Sequence, residues 1–344
     1  MGQWLVYGVR CHDLSSGILC SGHPNGTGGE LTGYIDTREF LARVTLMQRL
    51  KFGVVALQDM PWPTLVDLWR QFDSLGFDST WVADHFVNYS NPAGPWFDGW
   101  TTLAALASST SRIRVGTLVT SIPLRNPAVL ARQAMTVDHI SNGRLELGIG
   151  AGAPGQIDPS CRMIGVGDWT PQERTKRLRE QVKIIDMLLR DRSASYKGEY
   201  YEVEGATMAP GPVQKPRPPI TIAAHTKSSL RIAAEYADTW NSYGADFGAP
   251  ADVVVENTRK RCAMLDKFCE EIGRDPGSIG RSLLIFGAEA NTAFASEENF
   301  VEIVDRYTAI GINEVIFFYP FFAPAQMANF RRIATETIPE LRKR

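Results

Sequence analysis

FGVVALQDMPWP, residues 52–63, is the stretch on which the fold turns. Its first six residues are apolar and β-branched, as a buried strand requires. Residues 64–76 then place Leu65, Leu68, Trp69, Phe72 and Leu75 at helical spacing before Gly76 closes the helix. A strand followed by a helix can open a doubly wound open sheet or a closed (β/α)8 barrel. The open sheet carries a glycine-rich phosphate turn directly after its first strand. Here that turn reads QDMPWP and holds no glycine, so the barrel is the better reading.

The alternation continues outward from this unit. Strands are predicted at STWVAD (79–84), IRVGTLVTS (113–121), RLELGIGAG (144–152), PITIAAH (219–225), DTWNSY (238–243), SLLIFGAEAN (282–291) and NEVIFFY (313–319). Helices are predicted between them at about 98–110, 127–141, 227–237, 250–272 and 297–310, with a last one from 324. Leu178, Val182, Ile185 and Leu188 stripe another, and SYKGEYYEVEG (195–205) reads as an inserted hairpin. Eight βα units over roughly 295 residues match an α/β TIM barrel with insertions. In such a barrel the working groups sit on loops at the C-terminal strand ends, which is where STWVAD runs into Asp84-His85.

Composition excludes several classes. The 344 residues are 44% hydrophobic, and 36 Lys and Arg stand against 38 Asp and Glu, so no basic excess exists to hold a nucleic acid. No window reaches the roughly 20 apolar residues of a membrane helix, and no signal peptide is evident. The cysteines at 11, 20, 161, 262 and 269 form no C-x-x-C pair, and their odd number suits a reducing compartment, so a cytoplasmic location is expected. No histidines or cysteines stand at metal-ligand spacing, so no metal is expected. Residues 11–33 are rich in Gly and Ser without a periodic run. The expected division is therefore a poorly ordered extension over 1–46 and a barrel domain over 47–344, with Met47 as the natural start.

STWVADHF, the long segment RIRVGTLVTSIPLRNPAVLARQAMTVDHISNGRLELGIGAG (112–152) and LRIAAEYADTWN (230–241) carry a resemblance. The chain resembles the luciferase-like flavin-dependent oxidoreductases, and more closely their branch that uses the deazaflavin coenzyme F420. Asp84-His85-Phe86 matches that branch, whereas relatives using FMN more often have Glu-His. The resemblance implies hydride transfer between F420 and a small organic substrate. The alternatives are an FMN-dependent monooxygenase using oxygen and reduced flavin, and a non-catalytic flavin-binding barrel. Outer helices of such barrels often pair, which admits a homodimer.

The candidate site follows from these positions. His85 suits proton transfer because an ordinary imidazole titrates near pH ~6.5, and Asp84 would orient it or bond the cofactor ring. Thr120 and Ser121 match a bulge that backs the ring in the family, often with a non-proline cis peptide. Gly150, Ala151 and Gly152 would let the backbone approach the cofactor. Many relatives follow with glutamates, whereas this chain has Asp158 as its only nearby acid. Ala224, His225 and Thr226 precede a helix whose amides suit a phosphate, the rival reading for Thr226 being simple capping. Lys227, Arg231 and Arg125 are candidates for the acidic cofactor tail. Trp96, Phe97, Trp100 and Phe322 would make an apolar lid, with core packing as the alternative. His139, in a helix outside the barrel, reads as structural. Tyr89 stands where the deazaflavin sugar-phosphate dehydrogenases carry Trp, which points to an apolar or mixed organic substrate.

Overall fold

The computed structural model describes residues 3–6, 9–14, 17–22, 31–35, 49–155, 157–244, 248–321 and 323–344. Strands β1 (Gln3–Val6), β2 (Val9–Leu14), β3 (Gly17–Gly22) and β4 (Leu31–Ile35) form an antiparallel sheet in sequential order. They lie inside the segment from which no regular element was expected, and they pair with no barrel strand. Their register comes from tight links, two residues between β1 and β2 and again between β2 and β3. An apolar alternation, the signal sought in the sequence, is not what defines them. Met47, the expected start of the barrel unit, lies outside the described residues.

The barrel strands are β5 (Lys51–Val55), β6 (Ser79–Val82), β7 (Arg114–Thr117) with the short β8 (Thr120–Ser121), and β9 (Leu145–Gly150). An antiparallel hairpin follows, β10 (Ser193–Lys197) with β11 (Glu202–Thr207), at the predicted insertion. The barrel resumes with β12 (Ile220–Ala223), β13 (Thr239–Ser242), β14 (Gly280–Leu284) and β15 (Glu314–Phe318). Every barrel pairing is parallel, and β15 on β5 together with β9 on β12 closes the ring. The eight-unit reading is confirmed. The strand expected at 282–291 stops at Leu284, because Gly287, at φ 65°, starts a short helix instead.

The helices are α1 (Trp62–Leu75), α2 (Gly99–Ser109), α3 (Pro127–Ile140), the one-turn α4 (Ser160–Met163) and α5 (Pro171–Arg190). They continue with α6 (Lys227–Tyr236), α7 (Ala251–Glu271), α8 (Gly287–Thr292), α9 (Glu297–Thr308) and α10 (Met327–Arg332), which runs on through a π turn. Asp98 caps α2 and Asn126 caps α3, each through a side-chain oxygen that accepts first-turn amides. Such a cap is worth about 1 kcal/mol.

Strand alternation divides the apolar residues into two cores. Phe52, Val54 and Ala56 join the large core between strands and helices, while Val55, Trp81 and Ile316 fill the bore with Leu57, Leu118, Leu284 and Phe318 above and around them. At the floor Glu314 is buried and accepts a hydrogen bond from Ser79 Oγ at 2.7 Å. Burial first, and the Glu146 carboxylate second, push its carboxyl up to about 7.

Candidate active site

Carried past the end of β6, the two-residue period places His85 in phase with Ser79 and Trp81, which face the bore, and Asp84 in phase with Thr80 and Val82, which face the helices. The side chains part accordingly. His85 is one-quarter exposed at the mouth, and its Nδ1 lies 2.6 Å from Asp158 Oδ2. Asp158 is buried, and its other oxygen accepts the Ser160 amide at 2.9 Å. Burial alone would raise the Asp158 carboxyl, but the bonds from His85 and Ser160 outweigh it and hold the group below its ordinary value. An ionised carboxylate accepts only, so Nδ1 is the donor, and Nε2 has no partner among the described residues.

The two loops that meet here are tied at several points. The Phe86 amide donates to Ser160 Oγ at 3.0 Å, and Trp96 Nε1 donates to the His85 carbonyl at 2.9 Å. The rings of Tyr89 and Trp96 lie 5.2 and 6.2 Å from that of His85. Gln58, in the glycine-free turn, is fully buried and grips the Ala83 backbone, its Nε2 donating to the carbonyl and its Oε1 accepting the amide. Asn88 donates to Asp59 Oδ2 at 3.3 Å. None of Gln58, Ser160 or the Asp158 pairing was singled out from the sequence; an amide three residues past a buried strand end was the available signal for the first.

Asp84 does not orient His85. It is wholly buried, and Arg125 clasps it through Nε at 3.1 Å and Nη2 at 2.5 Å, with the Ser121 amide at 3.3 Å. Arg125 also reaches Asp98 at 2.7 Å. Burial would lower the guanidinium, yet the two carboxylates hold it above its ordinary range. Asp84 therefore anchors the loop after β8 to the end of β6, and Arg125 is spent on that anchor. Arg231 is likewise paired, with Glu271 at 2.8 Å, and packs on Phe268. Of the three cations expected for an acidic tail, the exposed Lys227 is left without an ion pair among the described residues.

The non-proline cis peptide is present, but it joins Leu118 to Val119, two residues before the expected Thr120-Ser121. Thr120 and Ser121 instead form β8 and pair with Ile149 and Gly150. The Thr120 hydroxyl is fully buried between Thr117 Oγ1, at 2.8 Å, and Trp100 Nε1, at 3.2 Å. Gly148 and Gly150 face this bulge: a Cβ on Gly148 would strike the Thr117 carbonyl, and one on Gly150 would strike Val119. Those glycines therefore admit the bulge before anything else. Ala151 and Gly152 follow at the open end of β9, where Arg174 binds the Ala151 carbonyl and the Asp168 carboxylate.

At the far side of the mouth Ala224 is buried, and its carbonyl accepts Trp240 Nε1 at 2.8 Å. The His225 ring packs 4.3 Å from that of Tyr243, and its pKa is pushed down to about 3 by burial and by Arg261, so it is neutral. Thr226 is the N-cap of α6 in a capping box with Ser229. Its side chain is thereby occupied, and what remains for an anion is the first-turn amides of α6. Rings run on from Tyr243 to Phe286 at 6.0 Å and to Phe318 at 5.8 Å. The expected lid is dispersed: Trp100 is a core residue, Phe97 packs on Trp62, Trp96 stands beside His85, and Phe322 lies outside the described residues. His139 binds the Gly211 carbonyl at 2.7 Å from α3 and does not reach the mouth.

A closed parallel barrel with a carboxylate-held imidazole at its C-terminal mouth defines an enzyme class in which βα loops carry the chemistry. The model of the luciferase-like monooxygenase family matches residues 27–341, and the chain belongs to that family. It is 37% identical over 232 residues to the F420-dependent glucose-6-phosphate dehydrogenase of Amycolatopsis mediterranei, covering 65% of this chain and 67% of the relative. It is 33% identical over 191 residues to the 5,10-methylenetetrahydromethanopterin reductase of Archaeoglobus fulgidus, covering 55% of this chain and 52% of that one. Among solved structures, an F420-dependent secondary alcohol dehydrogenase in complex with an F420-acetone adduct shares the fold at TM-score 0.71 and 18% identity, over 84% of this chain and 99% of that one.

Proposed function

We propose that the protein is an F420-dependent oxidoreductase that transfers a hydride between the coenzyme and a small organic substrate. The observation that carries this reading is the His85–Asp158 pair, which holds the imidazole through Nδ1 and leaves Nε2 without a partner among the described residues. The residues present fit the coenzyme in three respects. The 118–121 bulge, admitted by Gly148 and Gly150, offers a rigid backing; the first turn of α6 offers amides to a phosphate; Lys227 offers a cation to an acidic tail. Bound there, the deazaflavin would supply two-electron hydride chemistry.

The chain's own groups do the rest. When a hydride leaves an alcohol carbon, the hydroxyl proton must also leave, and His85 Nε2 takes it; in the reverse direction it returns the proton. Asp158 holds the tautomer that makes Nε2 the exchanging atom and stabilises the imidazolium. The backbone of Thr120, Ser121, Gly150, Ala151 and Gly152, with Ala224, His225 and Thr226 opposite, would bound the cofactor. Asp84 would act through Arg125 by holding the loop, without touching the reacting atoms. A cytoplasmic location and a homodimer formed by the outer helices complete the reading.

The test is fluorescence-quenching titration with F420 and with FMN at two salt concentrations. F420 should bind more tightly, and because Lys227 is the one candidate cation for its tail left without an ion pair among the described residues, its affinity should fall only modestly with salt. Equal or tighter binding of FMN would replace this reading with that of an FMN-dependent monooxygenase.

A further inference from the structure

A cavity of about 620 Å³ opens at the barrel mouth over the ends of β5, β14 and β15. That volume lies in the ~300–1,000 Å³ range of pockets for drug-sized ligands. Its walls include Leu57, Met60, Phe286, Phe318 and Tyr319, with Phe321 at the rim. Among the described residues no Lys, Arg or His lines it, and Asp59 is its one carboxylate. Asp59 accepts a hydrogen bond at 3.3 Å from Asn88, three residues beyond His85, so the cavity and the loop that carries the imidazole are linked at one point.

We propose that this cavity is the substrate chamber and that it takes an uncharged, largely apolar alcohol or carbonyl compound while rejecting phosphate esters. The proposal rests on the hydride-transfer reading of the mouth. Its physical basis is the lining. A phosphate dianion entering here would lose its hydration, find no cationic donor, and face the Asp59 carboxylate. An apolar chain would gain by covering Phe286 and Phe318, and a hydroxyl could donate to Asp59. Arg125 does not alter this, since it is committed to Asp84 and Asp98, and Lys227 is not among the residues that line the cavity.

Calorimetric titration of the cofactor-free protein with 2-decanone and with glucose 6-phosphate tests the chamber independently of turnover. The ketone should bind with a negative heat-capacity change, and the sugar phosphate should bind at least tenfold more weakly. Ala290→Trp, which fills the cavity from α8, should abolish ketone binding; Ala323→Trp, from the opposite wall, serves if the first variant does not fold. Tighter binding of glucose 6-phosphate, ketone binding indifferent to both filling variants, or no binding of either probe would overturn the proposal. F420 titration of the same samples separates the two readings. A protein that binds F420 but prefers the sugar phosphate loses only the chamber assignment, whereas one that binds no F420 loses the hydride-transfer reading.

Discussion

At the scale of single residues, the site depends on a pair separated by 73 positions in the chain, His85 and Asp158. A charge-assisted bond to a buried carboxylate fixes both the ring plane and the tautomer, so the two residues should behave as one unit. His85→Ala is expected to lower turnover by roughly 10²-fold, and Asp158→Asn by roughly 10-fold. The double variant should be no slower than His85→Ala alone, because Asp158 acts through the ring. Independent, multiplicative losses in that cycle would show that Asp158 serves something other than the imidazole. Asp84 illustrates how adjacency misleads. It neighbours His85 in sequence, but strand alternation turns it to the helix side, where Arg125 occupies both its oxygens.

Among elements, the β7–β8 bulge and β9 depend on each other. Gly148 accepts Thr117 Oγ1 on its carbonyl at 2.9 Å, and a Cβ there would meet the Thr117 carbonyl, a backbone atom unable to swing aside. Gly148→Ala should therefore destabilise the protein by about 1–3 kcal/mol and loosen the backing of the mouth, lowering F420 affinity along with the melting temperature. An unchanged melting temperature would mean that the bulge adapts at little cost. Which parts of this were legible beforehand follows from locality. The βα alternation, the helix stripes and the inserted hairpin are written in nearest-neighbour periodicities, so they could be read directly. Part of the long segment that carried the resemblance, 138–145, lies at an α-to-β turn away from the mouth. Asp138 there binds Gln214, and Arg144 binds the carbonyls of Ala107 and Ile113. Those residues contributed to the resemblance through structural roles, whereas Thr120, Ser121 and Gly150 of the same segment lie at the candidate site. The Asp158 pairing, the loss of Arg125 and Arg231 to internal carboxylates, and the place of the cis peptide all depend on barrel closure or on backbone geometry that residue types do not encode.

For the whole molecule, two sets of carboxyl groups pull stability in opposite directions as pH changes. Asp73, Asp98 and Asp158 are held below their ordinary values; burial opposes this in each case, and hydrogen bonds overcome it. A lowered carboxyl adds stability above its unfolded pKa, and that contribution is lost as pH falls through the folded value. At the floor Glu314 is the reverse case, raised from 4.5 to about 7 by burial and Glu146. In the window between those values the folded state binds more protons than the unfolded one, so stability falls as pH rises from about 4.5 through about 7 and is flat beyond. The decrease should be on the order of 3 kcal/mol. Glu314→Gln keeps an oxygen for Ser79 Oγ and removes the charge, so chemical denaturation across that window should show the variant gaining on the parent protein as pH rises, with the difference levelling off above about 7. Parallel stability curves for the two proteins would show that the floor of the barrel tolerates the ionised carboxylate, with Lys51 as the charge that compensates it.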